Sequence, residues 1–600
     1  MRNNMTEWIL KNKKADVERL EQELGLSKAV CRVLANRGIA ETTQAREYLQ
    51  PRRAALYDAS LLKNAEKAAD ILLRGIREGK RIRIIGDYDV DGVMATFLLY
   101  KALHVLGAFA DYRIPDRIAD GYGMNMRMVE EAERDEIALL LTCDNGIAAA
   151  EPIARAKELG MTVVVTDHHE IPCRKEGDTV CYELPPADVI VNPKQPGEST
   201  PQTGICGAMV AYKVVSLLLQ KAEDLVTKEQ REELLTELLV PVAFATVCDV
   251  MELNGENRVA VAKGLYRAGE CCNPGIRALL AAYELEEKEL TAYHAGFLLG
   301  PCFNAAGRLD TALLGLELLL CDNGAEAAKR AAHLKELNDT RKEMTLAATR
   351  QAVELAEEKL LATDAQVLVL YLPDCHESLA GIVAGRIRER FYRPTLVLTK
   401  GESCVKGSGR SIEGYSMFEK LSEQKELFLA FGGHPMAAGL SLPEENVALL
   451  EERLNAAAGL TEEDLTPKLY LDAVLPFSAI SEELMEELNR LEPFGNGNPK
   501  PVFASSGVYV NGMRRIGKDG SSMRLQVTDT AGTSLTGLFF QDADGFEEYL
   551  TKEFGTAVVQ ELYRSRGNVR LTLAFSPSVD EFRGEKYPQI IISNYKKYVG

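Results

Sequence analysis

Short strand-like runs alternate with amphipathic stretches from Ala65 to about Asp322. The stretch from Ala149 to Leu159 is one of the amphipathic segments. The strand-like runs are Arg81–Ile85, Leu139–Leu141, Thr162–Val165 and Asp188–Val191. Such alternation predicts a parallel sheet covered by helices.

The pattern changes twice after this region. Between about Ala325 and Ala362 the chain is rich in Ala, Glu, Lys and Leu and contains neither Gly nor Pro, which predicts a long helix joining two domains. A second α/β region begins at Gln366 and runs to about Ala458, and after Thr466 the segments become short and β-rich. The predicted strands there are Val508–Val510, Met523–Val527, Ala557–Leu562, Val569–Phe575 and Gln589–Ile592. Turns rich in Gly, Asp and Ser separate them, as in a small β-barrel.

These changes predict a multidomain α/β fold. A chain of 600 residues is too long for one hydrophobic core, and its length predicts two to four domains. The predicted parts are a helical lead-in at 1–60 with a break at Pro51, a parallel-sheet domain at 61–324, a connecting helix at 325–363, a smaller α/β domain at 364–460 and a β-barrel at 466–600.

Composition narrows the class of protein. The amino terminus does not resemble a signal peptide, and no apolar run is long enough to span a bilayer. The 12 cysteines form no C-x-x-C pair, which predicts reduced thiols and a cytoplasmic location. The net charge of −19 argues against a protein that coats nucleic acid non-specifically. It does not exclude an enzyme with a local basic groove and bound metal ions.

Acidic side chains follow the first predicted strand. Asp87, Asp89 and Asp91 alternate, so an extended chain would place them on one face, and Gly92 opens a turn beside them. Two or three of these acids could then reach one metal ion. The alternative is a polar turn whose acids only cap the next helix.

Two more predicted strands end in the same way. Asp144 follows the second, and Asp167, His168 and His169 follow the third. A turn acid and buried core histidines are the structural alternatives. Because parallel strands bring their carboxyl ends to one edge, these groups should converge there, and so many acids require a cation. Asp249, which closes another apolar segment, is a further candidate.

The donor types indicate which metal. Carboxylates and imidazoles without a thiolate favour Mn²⁺ or Mg²⁺ over a structural zinc. Two such ions can activate water and stabilise the leaving oxygen during in-line attack on phosphorus. We therefore expect a two-metal hydrolase.

Four segments resemble the motifs of the DHH phosphoesterase superfamily: Asp89-x-Asp91-Gly92, Asp144-Asn145-Gly146, Asp167-His168-His169 and Asp249. The resemblance continues through nearly the whole chain to one branch, the bacterial exonucleases specific for single strands. The further matching segments are 114–117, 121–123, 304–309, 376–377, 381–384, 392–394, 406–411, 431–439 and 491–495. The branch implies a DHH domain, a DHH-associated domain and an OB-fold.

The resemblance also implies roles for single residues. The metal ligands would be Asp89, Asp91, Asp144, His168 and Asp249, with Asp87 as a further metal ligand. His169 would be a ligand or a polar group beside the metals, and His434 would face the metal site from the DHH-associated domain and contact the scissile phosphate. His376 and Glu377 would do similar work.

Substrate contacts are expected from another group. Arginine suits bidentate phosphate contacts, and Arg117, Arg308 and Arg410 each lie in a matching segment, although a lone loop Arg is usually only a solvated charge. Ser408 would add a hydroxyl, Asn304 lies in the segment of Arg308, and Tyr122 would support an unstacked base or anchor its loop. One departure stands out: Cys302 occupies a position where the branch has Arg, so phosphate binding could be weaker or use another cation.

The implied activity is a two-metal 5′→3′ exonuclease that cuts single-stranded DNA to nucleoside 5′-monophosphates in recombination and repair. The polarity comes from the resemblance alone. A single-strand-binding protein and a helicase are the implied partners, with no membrane, and we expect a monomer.

Two alternatives remain open. The first is a DHH phosphodiesterase of cyclic dinucleotides or short oligonucleotides, which would usually lack the OB-like tail. The second is a catalytically silent single-strand-binding scaffold, against which the intact acids and histidines argue, since buried charges without a function are costly.

Overall fold

The computed structural model describes residues 6–176, 179–518, 520–582 and 585–599. The chain forms two compact units. The central unit comprises Gln50–Lys342 with Glu492–Pro499, and the terminal unit comprises the residues before Gln50, Glu343–Leu491 and the residues from Lys500 onward. In the described part of the chain, no helix combines the length and the apolar character needed to cross a membrane.

The terminal unit begins with a strand that the sequence did not predict. β1 (Glu7–Leu10) pairs in parallel with β14 (Lys468–Leu471). Three helices follow, as the predicted helical lead-in requires: α1 (Val17–Leu24), α2 (Lys28–Asn36) and α3 (Thr42–Tyr48). Asp16 and Ser27 cap the first two, each accepting a hydrogen bond from a backbone amide in the first helical turn.

The central unit contains the predicted parallel sheet. Its strand order is β3-β2-β4-β5-β8, and every pairing is parallel. The strands are β2 (Arg81–Ile85), β3 (Phe109–Arg113), β4 (Leu139–Cys143), β5 (Thr162–Thr166) and β8 (Val189–Val191), with a separate hairpin of β6 (Cys173–Glu176) and β7 (Thr179–Tyr182). β4 is buried along its whole length, as a strand covered on both faces must be.

Helices cover this sheet and extend beyond it. They are α4 (Ala65–Arg77), α5 (Val90–Val105), α6 (Met126–Arg134), α7 (Ala150–Glu158), α8 (Gly207–Lys221), α9 (Lys228–Cys248), α10 (Gly255–Ala268), α11 (Pro274–Ala282), α12 (Gly300–Leu309) and α13 (Leu313–Leu319). α5 and α8 are apolar on most sides because both lie within the main core.

The predicted connecting helix is present as α14 (Gly324–Ala362), which has 39 residues. The division between the two compact units falls inside it, after Lys342.

The terminal unit then forms a second α/β region. Its five-stranded sheet has the order β12-β13-β11-β10-β9, and only the β9–β10 pairing is parallel. The elements are β9 (Leu368–Tyr371), α15 (Ala380–Phe391), β10 (Thr395–Lys400), β11 (Val405–Arg410), α16 (Met417–Ser422), β12 (Ala430–His434), β13 (Ala437–Leu442) and α17 (Val447–Ala456).

The tail closes into a five-stranded barrel. Strands β16, β17, β18, β20 and β19 pair in that order, and β16 also pairs with β19, which closes the ring. The elements are β15 (Ala473–Val474), α18 (Glu482–Asn489), β16 (Phe503–Ile516), β17 (Ser522–Thr528), β18 (Ser534–Phe539), α19 (Ala543–Phe554), α20 (Thr556–Tyr563), β19 (Val569–Phe582) and β20 (Glu585–Lys597). The predicted multidomain α/β class with a carboxyl-terminal barrel is confirmed.

One predicted strand of the tail is wrong. The segment Ala557–Leu562 lies in α20, not in a strand. Its adjacent β-branched residues suggested a strand, but the buried positions are Val559 and Leu562, which are three residues apart and share a helical face.

Candidate metal centre

The acids after β2 are not arranged as an extended strand. β2 ends before them and α5 begins among them. Asp89 caps α5, and its carboxylate accepts a hydrogen bond from the Gly92 amide at 3.0 Å. The alternation of Asp87, Asp89 and Asp91 therefore does not place all three on one strand face. Asp87 and Asp89 stay together, while the first helical turn directs Asp91 to a second group of ligands.

The first turn of α5 requires a glycine. A Cβ at position 92 would lie 2.5 Å from the carbonyl oxygen of Asp87, so only glycine lets the chain turn this tightly. Asp91 is held from another helix: its two carboxylate oxygens accept hydrogen bonds from the amides of Gly207 and Ala208, at 2.6 and 2.7 Å. These amides start α8, and a helix amino terminus stabilises the charged carboxylate.

Asp144 adopts a left-handed backbone conformation at the end of β4, with φ of 61°. Asn145 fixes this turn, because its side-chain amide donates to the carbonyls of Ile85 and Cys143 at 3.0 and 2.9 Å. α8 also approaches closely: a Cβ at Gly207 would lie 2.7 Å from the Asp144 side chain. The ends of β2 and β4 are thereby locked together.

The two histidines after β5 have different settings. His168 is buried, and its Nε2 lies 3.0 Å from Asp144 Oδ1 and 3.6 Å from both Asp91 Oδ2 and Asp249 Oδ2. His169 is more open, with its side chain 40% exposed, and its Nδ1 lies 2.8 Å from Asp167 Oδ1. His169 is thus oriented by Asp167, whose other oxygen accepts from a backbone amide.

Asp249 joins the group from the carboxyl end of α9. It ends that helix, and its side chain is 27% exposed, so the cluster opens toward solvent on this side. Val250 follows with φ of 57°, a left-handed residue that turns the chain away.

The predicted ligands therefore converge. Three overlapping sets have ligand atoms within 4.8 Å of one another: Asp87, Asp89 and Asp144; Asp91, His168 and Asp249; and Asp144, His168 and His169. Four buried atoms in these sets have no hydrogen-bond partner among the described residues: Asp87 Oδ1, Asp144 Oδ1, His168 Nε2 and Asp249 Oδ2. Buried polar atoms are nearly always paired, so four orphaned atoms in one cluster fit a site built for cations.

The pKa values of the carboxyl groups also indicate that these acids lack a positively charged partner. Burial, and then the charge of Asp89, raise the pKa of Asp87 to about 8 and that of Asp91 to about 7. Burial and the charge of Asp91 raise the pKa of Asp249 to about 8 and hold that of Asp144 well above its usual range. Burial and mutual repulsion therefore disfavour the charged forms of these acids, and a divalent ion would favour those forms.

The pKa values of the two histidines shift in opposite directions. Burial, and then the neighbouring His169, lower the pKa of His168 to about 3, so His168 is neutral and able to act as a ligand. Burial alone would lower the pKa of His169, but its hydrogen bond to Asp167 and the charge of that residue outweigh burial and raise the pKa to about 9. One imidazole is therefore suited to a metal and the other to an anion.

Tyr122 lies at the edge of this cluster. Its hydroxyl donates to the backbone carbonyl of Asp144 at 2.8 Å and lies 3.0 Å from His169 Nδ1. Its ring packs edge-on against Tyr88, and the Arg117 guanidinium lies over the face of Tyr88 at 4.1 Å. The anchoring role of Tyr122 is thus visible, and its role in base stacking stays a prediction.

α12 carries the next predicted residues. Gly307 lets this helix approach the first motif, since a Cβ there would lie 2.6 Å from the carbonyl oxygen of Tyr88. Arg308 follows directly, close enough to Tyr88 for its charge to lower the pKa of that phenol, although burial dominates and raises it. Asn304 lies one turn earlier and is half-buried. Cys302 is fully buried, and its sulfur lies 3.1 Å from the hydroxyl of Tyr283, so this position belongs to the core.

The remaining predicted residues lie in the terminal unit. Arg410 and Ser408 are neighbours on β11, with Arg410 Nη1 donating to Ser408 Oγ at 3.1 Å. Gly381 at the start of α15 leaves room for both, because a Cβ there would lie 2.8 Å from each side chain. His434 ends β12 and is exposed. His376 accepts a hydrogen bond from the Ser378 amide at 3.3 Å.

The structure adds two contributors that the sequence did not assign. Asp167 was expected only to lie among the converging acids, and the structure shows that it orients His169. The sequence offered no signal for the amides of Gly207 and Ala208, because they lie 116 residues or more from Asp91, to which they donate.

Family models match three parts of the chain: the DHH family, N-terminal domain, at residues 81–246, the DHHA1 domain at 364–459, and the RecJ OB domain at 471–594. The chain is 36% identical over 551 residues to the single-stranded-DNA-specific exonuclease RecJ of Escherichia coli (strain K12), covering 89% of this chain and 90% of that protein. The chain belongs to the RecJ family. The Bacillus subtilis (strain 168) RecJ is 34% identical over 582 residues, covering 96% of this chain and 69% of that protein.

A solved RecJ structure has the same fold. The crystal structure of RecJ in complex with Mn²⁺ from Thermus thermophilus superposes with a TM-score of 0.81 at 28% identity, covering 100% of this chain and 81% of that chain. The expected DHH, DHH-associated and OB domains are therefore present in this RecJ-family chain. The individual ligand roles and the predicted domain bounds stay predictions.

Proposed function

We propose that this chain is a metal-dependent exonuclease that hydrolyses single-stranded DNA and uses two Mn²⁺ or Mg²⁺ ions. The observation that carries the proposal is the cluster of four orphaned ligand atoms at the carboxyl edge of the sheet, in a chain of the RecJ family. A single-strand-binding scaffold without catalysis would have no use for such uncompensated charges.

Different residues would bind the metal ions and contact the substrate. Asp87, Asp89, Asp91, Asp144, His168 and Asp249 would hold the ions. When bound, two such ions supply an activated water and stabilise the leaving oxygen. His169, fixed by Asp167 and half-exposed, would contact the scissile phosphate from the solvent side.

The experiment digests end-labelled single and double strands with Mn²⁺ and identifies the product. We expect rapid degradation of the single strand and resistance of the duplex. Preference for a cyclic dinucleotide or a very short oligonucleotide would favour the small-substrate phosphodiesterase instead. Binding without any cleavage would favour the silent scaffold.

Digestion from the 5′ end, with release of nucleoside 5′-monophosphates, is the finer part of the proposal. It requires a site for the terminal phosphate, and the surroundings of Arg410 suit one: burial and the neighbouring Arg388 lower the pKa of Arg410, and no carboxylate among the described residues pairs with it. A half-buried guanidinium beside Ser408 suits a phosphate.

Arg410→Ala tests this polarity. We expect binding of 5′-phosphorylated strands to weaken by roughly 1.5–3 kcal/mol, as for a charged hydrogen bond, and binding of 5′-hydroxyl strands to weaken less. Arg390→Ala is the matched control, since Arg390 lies on α15 but pairs with Glu357. If Arg410→Ala keeps the wild-type preference for a 5′-phosphate, Arg410 does not bind that phosphate. If the wild type digests 5′-blocked strands from the 3′ end, the proposed polarity is wrong.

The barrel would hold the longer strand. A groove of about 730 Å³ runs over β17, β18 and β20 and is lined by polar side chains that include Arg524, Gln526 and Gln589. Arg524→Ala should weaken binding of long strands more than of short ones. This variant is preferable to truncation near Ala458, because removal of β14 would leave β1 without its partner.

The biological setting is proposed on the same basis. Recombination and repair of DNA in the cytoplasm would supply single strands, and the 12 cysteines are free thiols, which suits a reducing compartment. A single-strand-binding protein, a helicase and a monomeric state stay predictions.

A further inference from the structure

Two large aromatic side chains stand in solvent on the central unit. Tyr293 is 60% exposed and Phe297 is 68% exposed, and their rings stack with centroids 5.2 Å apart and an angle of 23° between planes. The His294 ring meets Tyr293 edge-on at 6.0 Å. We call Tyr293 and Phe297 the aromatic platform.

The platform lies on an unusual turn. Residues His294–Leu299 form a π-helix directly before α12, closed by the Gly300 amide, which donates to the Ala295 carbonyl. The sequence explains it: Pro301 has no amide hydrogen to donate to the Phe297 carbonyl, so the ordinary helical ladder cannot pass through this point. Such π-helical turns occur frequently at functional sites.

The turn is packed against the end of the helix that delivers a predicted metal ligand. A Cβ at Gly296 would lie 3.1 Å from Val247, and one at Gly300 would lie 2.2 Å from Cys248 Sγ. Cys248 Sγ also donates to the Ala295 carbonyl at 3.7 Å. Asp249 follows Cys248 in the chain, so the platform has a fixed position relative to Asp249.

We propose that Tyr293 and Phe297 stack against unpaired nucleobases of the strand that enters the metal centre, and that this contact contributes to the selection of single strands. The inference rests on the proposed function. Flat, exposed rings match the π-face that every unpaired base offers, whereas a duplex keeps these faces buried in its own stack.

Binding is measured by fluorescence anisotropy with a labelled oligothymidylate in EDTA, where no hydrolysis occurs. The double variant Tyr293→Ala/Phe297→Ala should bind about tenfold to a hundredfold more weakly than the wild type. Phe109→Ala is the matched control, because Phe109 is 69% exposed but pairs with Arg81 at the amino end of the sheet, away from the metal centre. It should bind as the wild type does.

Two further comparisons identify the contact as base stacking. Phe297→Tyr keeps a π-face and should retain affinity, whereas Phe297→Leu keeps only the apolar character and should lose it. An oligonucleotide with a run of abasic sugars should bind the wild type more weakly than the intact strand, and the double variant should not distinguish the two.

Wild-type affinity in the double variant, or in Phe297→Leu, would overturn the proposal. Equal sensitivity of wild type and double variant to abasic sugars would also overturn it. Hydrolysis of the same strand by wild-type protein in Mn²⁺ is assayed in parallel. Failure of that reaction would reject the proposed function, while the binding ratios in EDTA would still decide the role of the platform.

Discussion

Arg83 on β2 and Asp87 in the loop after it are both buried charged residues, but their surroundings differ. Arg83, in the middle of β2, is 1% exposed and lies between two carboxylates: it donates to Asp111 at 2.8 and 2.6 Å and to Asp135 at 2.7 Å. A few residues later Asp87 is equally buried, but in the described part of the chain its Oδ1 has no hydrogen-bond partner, and the nearby charge that most affects its pKa is another acid, Asp89.

The difference separates structural charges from functional ones. A buried charge is costly unless an opposite charge or hydrogen bonds compensate it. The chain balances the charge of Arg83 with two carboxylates of its own, although Arg83 Nη1 has no hydrogen-bond partner among the described residues, so that cluster serves the fold. At the carboxyl edge it leaves Asp87, Asp144 and Asp249 each with a buried oxygen that has no hydrogen-bond partner among the described residues. Their partner must come from outside, and cations are the partner that fits.

The largest effect is expected where a charge without a partner is removed. Asp144→Asn should lower the turnover of single-stranded DNA at least about a hundredfold with Mn²⁺, because a ligand is lost from a site in which both ions must be in register. Asparagine is preferable to alanine here because it tolerates the left-handed backbone of this residue. Turnover is measured at saturating substrate.

Asp224→Asn is the control, since Asp224 is exposed and paired with Arg77. Its turnover should equal that of the wild type. If Asp144→Asn keeps more than a few per cent of activity, Asp144 is not a required ligand.

Metal addition should stabilise the fold next most strongly. Binding of Mn²⁺ at a hundred times its dissociation constant adds about 2.7 kcal/mol to the free energy of unfolding. Thermal unfolding followed by far-UV circular dichroism, with EDTA or with Mn²⁺, measures the change. Asp144→Asn should show a smaller increase, and an equal increase in both proteins would place the stabilising ion elsewhere.

Removing Arg83 from its ion pairs with Asp111 and Asp135 should lower stability without changing the rate of hydrolysis. Arg83→Met should lower the free energy of unfolding by about 1–3 kcal/mol, less than for a fully buried pair because Asp111 and Asp135 are half-exposed. Urea unfolding must be followed by circular dichroism, because the only tryptophan, Trp8, reports on the terminal unit.

Arg77→Met, which breaks an exposed pair, should cost far less. Turnover of folded Arg83→Met should stay near the wild-type value, and a large fall in turnover at unchanged stability would contradict the distinction between the two clusters.

The smallest expected effect is the pH dependence of stability, a change of a few degrees in the Tm of the metal-free protein. The pKa values of Asp87 and Asp249 are raised to about 8 and that of His169 to about 9, so the folded state binds more protons than the unfolded state near neutral pH. Stability of the metal-free protein should therefore fall between pH 7 and pH 9.

Mn²⁺ should weaken or reverse that trend, because metal binding favours the deprotonated ligands. The measurement is Tm against pH with EDTA and with Mn²⁺. A metal-free Tm that rises from pH 7 to pH 9 would show that these acids are already compensated.

Local pattern was enough to predict the catalytic sheet, the long helix and the converging acids. Each strand of β2, β4 and β5 is a hydrophobic run that ends in acids or imidazoles, and parallel pairing brings those ends to one edge without further information. The Ala557–Leu562 helix was missed because β-branched neighbours resemble a strand until the buried face is known.

Only the tertiary structure decided the features that depend on distant partners. The pairing of β1 with β14, the amides of α8 that hold Asp91, and the hydroxyl of Tyr122 on the Asp144 turn all join segments far apart in sequence. The physical reason is that side-chain type and periodicity record whether a position is buried, while the identity of the group that covers it is fixed only when the chain closes on itself.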